Sequence, residues 1–229
     1  MSQQLPLDLS LPDPFSVSGF VISDANRALY DLLSSAQDWI NPHLVLVGPA
    51  GSGKTHAGHV FAATQARAVP VVWLSPDTPV GVDDIPSGAS LVIDNADSFD
   101  QVSLFHLYNR TQSDGRLLLL SRLHPAQWTY GVPDLESRLK AMRVVDMPEP
   151  DDALLRKVLR RLFEARVITP SDDVLEYLSR RMERSLAQAQ KIVMGLEAYA
   201  NGRAFTRSLA RQFIDTCENM SWFDEWDGI

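Results

Sequence analysis

The chain has 229 residues, 45% hydrophobic content, a formal net charge of −8 and one cysteine, Cys217. Such a length can bury the core of one or two domains, and no stretch reaches the roughly eighteen apolar residues of a membrane span. A lone cysteine excludes an internal disulfide and a cysteine-rich zinc site, and is read as a small, partly buried thiol. The acidic total argues against a free-standing duplex-DNA binder, and residues 1–5 lack the basic start of a signal peptide. A soluble cytoplasmic protein without membrane contact is expected.

The charge is uneven. Residues 1–137 carry 6 basic against 14 acidic side chains, residues 138–214 carry 15 against 10, and residues 215–229 carry none against 5. The basic middle either faces phosphates, a nucleic acid or the acidic first part, or forms solvated helix faces.

Residues 1–14 alternate leucine with proline and small or acidic residues, and three prolines make a helix implausible. The segment is either an extended groove-binding peptide presenting Leu5, Leu7 and Leu9, or a frayed terminus whose leucines tuck against the domain. Ser23 or Asp24 then caps a predicted helix with the apolar face Ala28, Leu29, Leu32, Leu33 and Ala36. Phe20, Val21 and Ile22, just before it, serve either as a nucleotide-base pocket or as plain core.

His43 to Val47 is an apolar, β-rich run; the stretch Gly48-Pro-Ala-Gly51-Ser-Gly53-Lys54-Thr55 follows, and then a helix-competent run over 57–63. Strand, glycine-rich turn and helix are the setting a P-loop needs. The glycines let successive N–H groups point at one anion, and the helix aims its positive end at the same phosphates. Lys54 suits the β- and γ-phosphates and the Thr55 hydroxyl suits Mg²⁺. A nucleoside di- or triphosphate is the expected ligand.

Residues 69–74 read as a second buried strand, followed by a connection punctuated by Pro76, Pro79, Gly81, Pro86 and Gly88. Residues 89–93 form a strand ending at Asp94, which fits a Walker B aspartate beside Mg²⁺. The next residue is Asn95, where many P-loop ATPases carry a carboxylate to polarise water. An amide cannot act as a base, so slow or negligible intrinsic hydrolysis is expected, and whether the chain is itself an enzyme stays open. Asp97 points elsewhere unless the strand has ended. Residues 116–121 give a further strand placing Ser121 within reach of a γ-phosphate or water, and 143–147 give the last. Five strands separated by helices predict a parallel α/β sheet.

Pro148 and Pro150 mark a boundary, beyond which helices are expected over 151–166, 171–180, 183–200 and 206–219. The first has the apolar face Leu154, Leu155, Val158, Leu159, Leu162 and Phe163. Residues 215–229 form an acidic tail whose Trp222, Phe223 and Trp226 either fold back on these helices or dock a partner. The expected organisation is thus 1–14, 15–147, 148–214 and 215–229.

P-loop, Walker B strand, polar strand end, Ser137-Arg138-Leu139 after a loop, and a helical lid together resemble the AAA+ ATPases. The run from Phe20 to Leu29 resembles the start of the ATPase domain of the replication initiator DnaA, and the likeness spans about residues 15–214. In place of the initiator's helix-turn-helix domain stands the acidic tail. In place of its helicase-recruiting domain stands Gln4-Leu5-Pro6-Leu7-Asp8-Leu9, similar to the peptide that binds the replicative sliding clamp (β subunit). With Ile93-Asp94-Asn95, the whole resembles the Hda family, regulators that inactivate DnaA.

The resemblance implies ADP or ATP with Mg²⁺, bound by Gly48, Gly51, Ser52, Gly53, Lys54, Thr55, His56 and Asp94, with Val21 and Ile22 at the base. It implies Ser121 as sensor 1, Arg184 as sensor 2 opening a lid helix, and Arg138 as an arginine finger acting in trans. From the residues alone, Arg138 is a surface ion pair with Glu136 or Asp134. Clamp contact would come from Gln4, Leu5, Leu7 and Leu9, and DnaA is the second partner. Self-association is possible, and contact with DNA is indirect or weak. The alternatives are an active helicase loader or remodeller, and a nucleotide-bound adaptor without a catalytic role.

Overall fold

The computed structural model describes residues 20–78, 81–112 and 115–220. The 1–14 peptide and the aromatic end of the tail lie outside them. The elements are α1 (Arg27–Ser34), β1 (His43–Val47), α2 (Lys54–Gln65), β2 (Val71–Leu74), β3 (Ser90–Ile93), α3 (Gln101–Arg110), β4 (Leu117–Ser121), α4 (Pro133–Ala141) and β5 (Arg143–Asp146). Four helices follow: α5 (Asp152–Glu164), α6 (Asp172–Arg181), α7 (Leu186–Ala200) and α8 (Arg207–Met220).

The five strands form one parallel sheet in the order β2-β3-β4-β1-β5. β1, β3 and β4 are buried along their whole length, because helices cover both faces of a parallel sheet. The two-residue period sorts their side chains. Leu44, Leu46, Leu118 and Leu120 pack with α1 and α2, whereas Val45, Val47, Leu117 and Leu119 pack with α3 and α4. β2 departs from expectation. It is an edge strand, so only Leu74 is fully buried.

The start of α1 also differs. Its N-cap is Asn26, not Ser23 or Asp24. The Asn26 side chain accepts from the Ser23 N–H at 2.8 Å and donates to the Val21 carbonyl at 2.8 Å, which folds the preceding turn into a closed loop. Ala28 faces solvent, because starting at Arg27 turns the buried stripe onto Leu29 and Leu33.

The helices α5 to α8 have a core of their own, built from residues between Leu155 and Cys217. Cys217 is buried in it, more deeply than its expected partial burial. Five lid arginines pair with carboxylates within the lid: Arg160 with Asp172, Arg166 with Glu197, Arg180 with Glu176, Arg184 with Asp152 and Arg211 with Asp215. These pairs, worth about 0–1 kcal/mol each at the surface, occupy five arginines, but four of the five carboxylates already belong to the same basic stretch, so its excess of positive charge remains. Among the described residues no helix is long and apolar enough to cross a membrane.

Candidate nucleotide site

The turn after β1 closes at the carboxyl end of the sheet. The Gly48 N–H donates to the Ser121 carbonyl at 3.1 Å, which ties the start of the loop to the end of β4. Gly51 and Gly53 adopt φ of +67° and +96°, in the left-handed region where a side chain is strained. At Gly51 a second constraint applies: a Cβ there would lie 2.2 Å from the Ala187 Cβ of α7. The lid therefore rests directly on the loop.

The first N–H groups of α2, those of Lys54 and Thr55, have no acceptor within the helix, and the helix dipole adds positive potential at the same place. The Ser52 hydroxyl is buried without a hydrogen-bond partner. Lys54 folds over the loop, its ammonium donating to the Gly48 and Pro49 carbonyls at 2.7 and 2.8 Å. Burial lowers its pKa, and the Asp94 carboxylate opposes that shift. An orphaned hydroxyl, unspent amides and a buried ammonium fit a phosphate chain.

Across the sheet the Thr55 hydroxyl donates to Asp94 Oδ2 at 2.9 Å. One hydroxyl and one carboxylate, completed by phosphate oxygens and water, suit Mg²⁺. Asn95 follows in the left-handed region, φ 50°, and its N–H donates to Asp94 Oδ1 at 2.9 Å. The strand ends at Ile93, so Asp97 does not continue it. Instead a short turn over Ala96–Ser98 brings Asp97 beside β4, where its Oδ1 lies 3.1 Å from the Ser121 hydroxyl.

Beyond the loop opens a cavity of about 390 Å³. Phe20, Val21 and His56 form one wall, and Leu154, Val158 and Leu162 of α5 form the other. Phe20 meets the His56 imidazole edge-on at 5.7 Å. An apolar slot of this kind suits a planar base. Ile22, expected here, does not line the cavity; its carbonyl accepts from the Lys157 ammonium at 2.9 Å, tying the segment to α5.

Sequence reasoning missed the lid's contribution, including Arg161, Leu186 and Gln190 on the cavity wall. A signal was present: the six-residue apolar face of α5 exceeds the four side chains it fully buries, Leu154, Leu155, Leu159 and Phe163. Val158 and Leu162, partly buried beside the lid core, line the cavity together with Leu154.

Arg184 does not open a lid helix and does not line the cavity. Ser185 caps α7, its hydroxyl accepting from the Gln188 N–H, so Arg184 precedes the helix and pairs with Asp152 at 3.1 Å. Arg138 stands apart from the chain's own cavity, on α4. The ion pair expected with Glu136 or Asp134 is not formed: Glu136 engages Lys140 at 2.7 Å, and the Arg138 guanidinium turns instead toward the Phe105 and Tyr108 rings.

No protein-family model matches the chain. Solved structures do. Domain III of the Thermotoga maritima replication initiation protein DnaA superposes with a TM-score of 0.74 at 17% identity, over 90% of this chain and 98% of that one. AMPPCP-bound DnaA from Aquifex aeolicus gives 0.69 at 18% identity, over 95% and 74%. The Thermotoga maritima RuvB Holliday junction branch migration motor gives 0.67 at 16%, over 89% and 72%. At these identities the likeness is one of fold: a five-stranded parallel α/β sheet followed by a helical domain.

Proposed function

We propose that the protein is a nucleotide-bound, cytoplasmic regulator of replication initiation that promotes hydrolysis of ATP held by DnaA. The observation that carries this reading is Asn95, which directly follows Asp94 in a site that has the phosphate-loop lysine and the Thr55–Asp94 pair. An amide at that position leaves the site able to hold ADP or ATP with Mg²⁺ but poor at activating water. The DnaA-like fold and the position of Arg138, away from the chain's own cavity, support action on a partner's nucleotide.

In this reading Gln4, Leu5, Leu7 and Leu9 tether the protein to the DNA-loaded sliding clamp, raising its local concentration near new DNA. Bound nucleotide fixes the lid, with Ser121 near the terminal phosphate and Arg184 exchanging Asp152 for phosphate. Arg138 enters the neighbouring DnaA site, where a guanidinium stabilises transition-state charge.

The test is turnover of ATP preloaded on DnaA, with this protein and DNA-loaded clamp. Acceleration that needs Arg138, and separately needs Gln4 and Leu5, supports the reading. Brisk hydrolysis by the protein alone, with no effect on DnaA, points to a loader or remodeller instead. Unchanged acceleration by Arg138→Ala points to an adaptor.

A further inference from the structure

We infer that Asp97 is a positioning residue that sets the site's preference between a nucleoside diphosphate and a triphosphate, an inference that rests on the nucleotide-binding reading above. Its carboxylate gathers the end of β4. Asp97 Oδ1 lies 3.1 Å from the Ser121 hydroxyl and accepts from the Arg122 N–H at 3.0 Å. Ser121 is fully buried, and its hydroxyl also lies 2.5 Å from the Leu123 carbonyl while accepting from the Leu123 N–H at 3.1 Å.

A serine hydroxyl has one proton. Here that proton has two acceptors within reach, a carboxylate and a carbonyl, so it is committed before any ligand arrives. Ser121 can donate to a terminal phosphate only by turning away from both, the nearer carbonyl at 2.5 Å and the charged carboxylate at 3.1 Å.

The second effect is charge. The Ser121 carbonyl is bonded to Gly48, the first residue of the phosphate loop, so the Asp97–Ser121 pair borders that loop directly. A second carboxylate near the loop opposes the added charge of a third phosphate, working against the Arg122 guanidinium in the same neighbourhood. Both effects favour the diphosphate.

The experiment measures the affinities of ADP and AMPPCP, with Mg²⁺, for the full chain and for Asp97→Asn and Asp97→Ala. Asparagine keeps an acceptor for the Arg122 N–H and removes the charge, whereas alanine removes both. Thermal unfolding establishes that each variant is folded. In the folded variants the AMPPCP affinity should rise against that of ADP by at least about fivefold. In a Ser121→Ala background the gain from Asp97→Ala should shrink, because the hydroxyl for which Asp97 and the Leu123 carbonyl compete is gone.

A ratio within about twofold of wild type in the folded variants overturns the inference, as does an equal loss of both affinities, which is what a merely structural residue gives. Wild-type protein that binds neither nucleotide overturns the nucleotide reading itself, a separate failure visible before any variant is made.

Discussion

The Arg138 guanidinium lies 4.5 Å over the ring of Phe105 and 5.4 Å from the ring centre of Tyr108. One of its terminal nitrogens, Nη1, is buried without a hydrogen-bond acceptor. Stacking of this kind fixes the side chain while leaving its charge unneutralised by a carboxylate, at a gain of about 0.5–1 kcal/mol. Arg138→Ala should therefore lower the melting temperature by only a few degrees while cutting stimulation of DnaA-bound ATP hydrolysis by roughly 10³-fold or more. Arg138→Lys should not restore it, because an ammonium lacks the planar fork. Calorimetry alongside single-turnover hydrolysis separates the effects; a collapse of folding with parallel loss of activity would assign Arg138 to the scaffold.

Asn95 supplies the second prediction. Its left-handed backbone is one that aspartate also tolerates, so Asn95→Asp should fold normally. A general base contributes typically 10²–10⁴-fold, and intrinsic phosphate release should rise at least about tenfold over a slow wild-type rate. An unchanged rate means that a carboxylate at this position does not reach the attacking water.

His43 should make the fold sensitive to acid. Its ring is buried at the foot of β1, tilted against Tyr108, with Nε2 3.1 Å from the Thr111 hydroxyl. Burial lowers its pKa from 6.5 to about 4. As pH falls, the unfolded chain takes up the proton first, so this contribution is complete above pH 6.5 and is lost between there and about pH 4. Urea midpoints at about pH 7 and about pH 5 should differ more in the wild type than in His43→Gln. Equal differences refute the assignment.

Val167 is the strained residue of the lid. It sits just past α5 with φ 60° and 96% exposure, so no burial compensates a β-branched side chain in the left-handed region. The Ile168 N–H bonds back to the Phe163 carbonyl at 3.0 Å and the Val167 N–H to Glu164 at 2.9 Å, a helix end where glycine is usual. Val167→Gly should stabilise the protein by about 1 kcal/mol, or about 2–4 °C. A lower melting temperature means that the side chain makes contacts worth more than the strain.

Much of the fold was legible because its signals are local. The apolar runs at 43–47 and 117–121 can be satisfied only inside a covered sheet, and the glycine spacing over 48–53 announces the loop. The failures came where tertiary context decides. β2 reads as buried from composition, yet it occupies an edge. Asp97 points elsewhere only if the strand continues past Ile93, which sequence leaves open; one left-handed residue, Asn95, redirects the chain and delivers it to Ser121. Arg184 was placed in a helix because its neighbours favour one, but Ser185 takes the cap. The cavity's second wall was invisible because α5 is about a hundred residues from the loop it covers, and only the surplus of its apolar stripe hinted at that.

The contact between Gly51 and Ala187 has a mechanical consequence. The Ala187 methyl already fills the space a side chain at Gly51 would need, so the loop and the start of α7 mesh like adjacent gear teeth. A swing of the lid about the Pro148–Pro150 segment cannot leave the loop undisturbed, nor can the loop reshape without shifting the lid. Lid angle and loop shape are thus one coordinate, readable from either end.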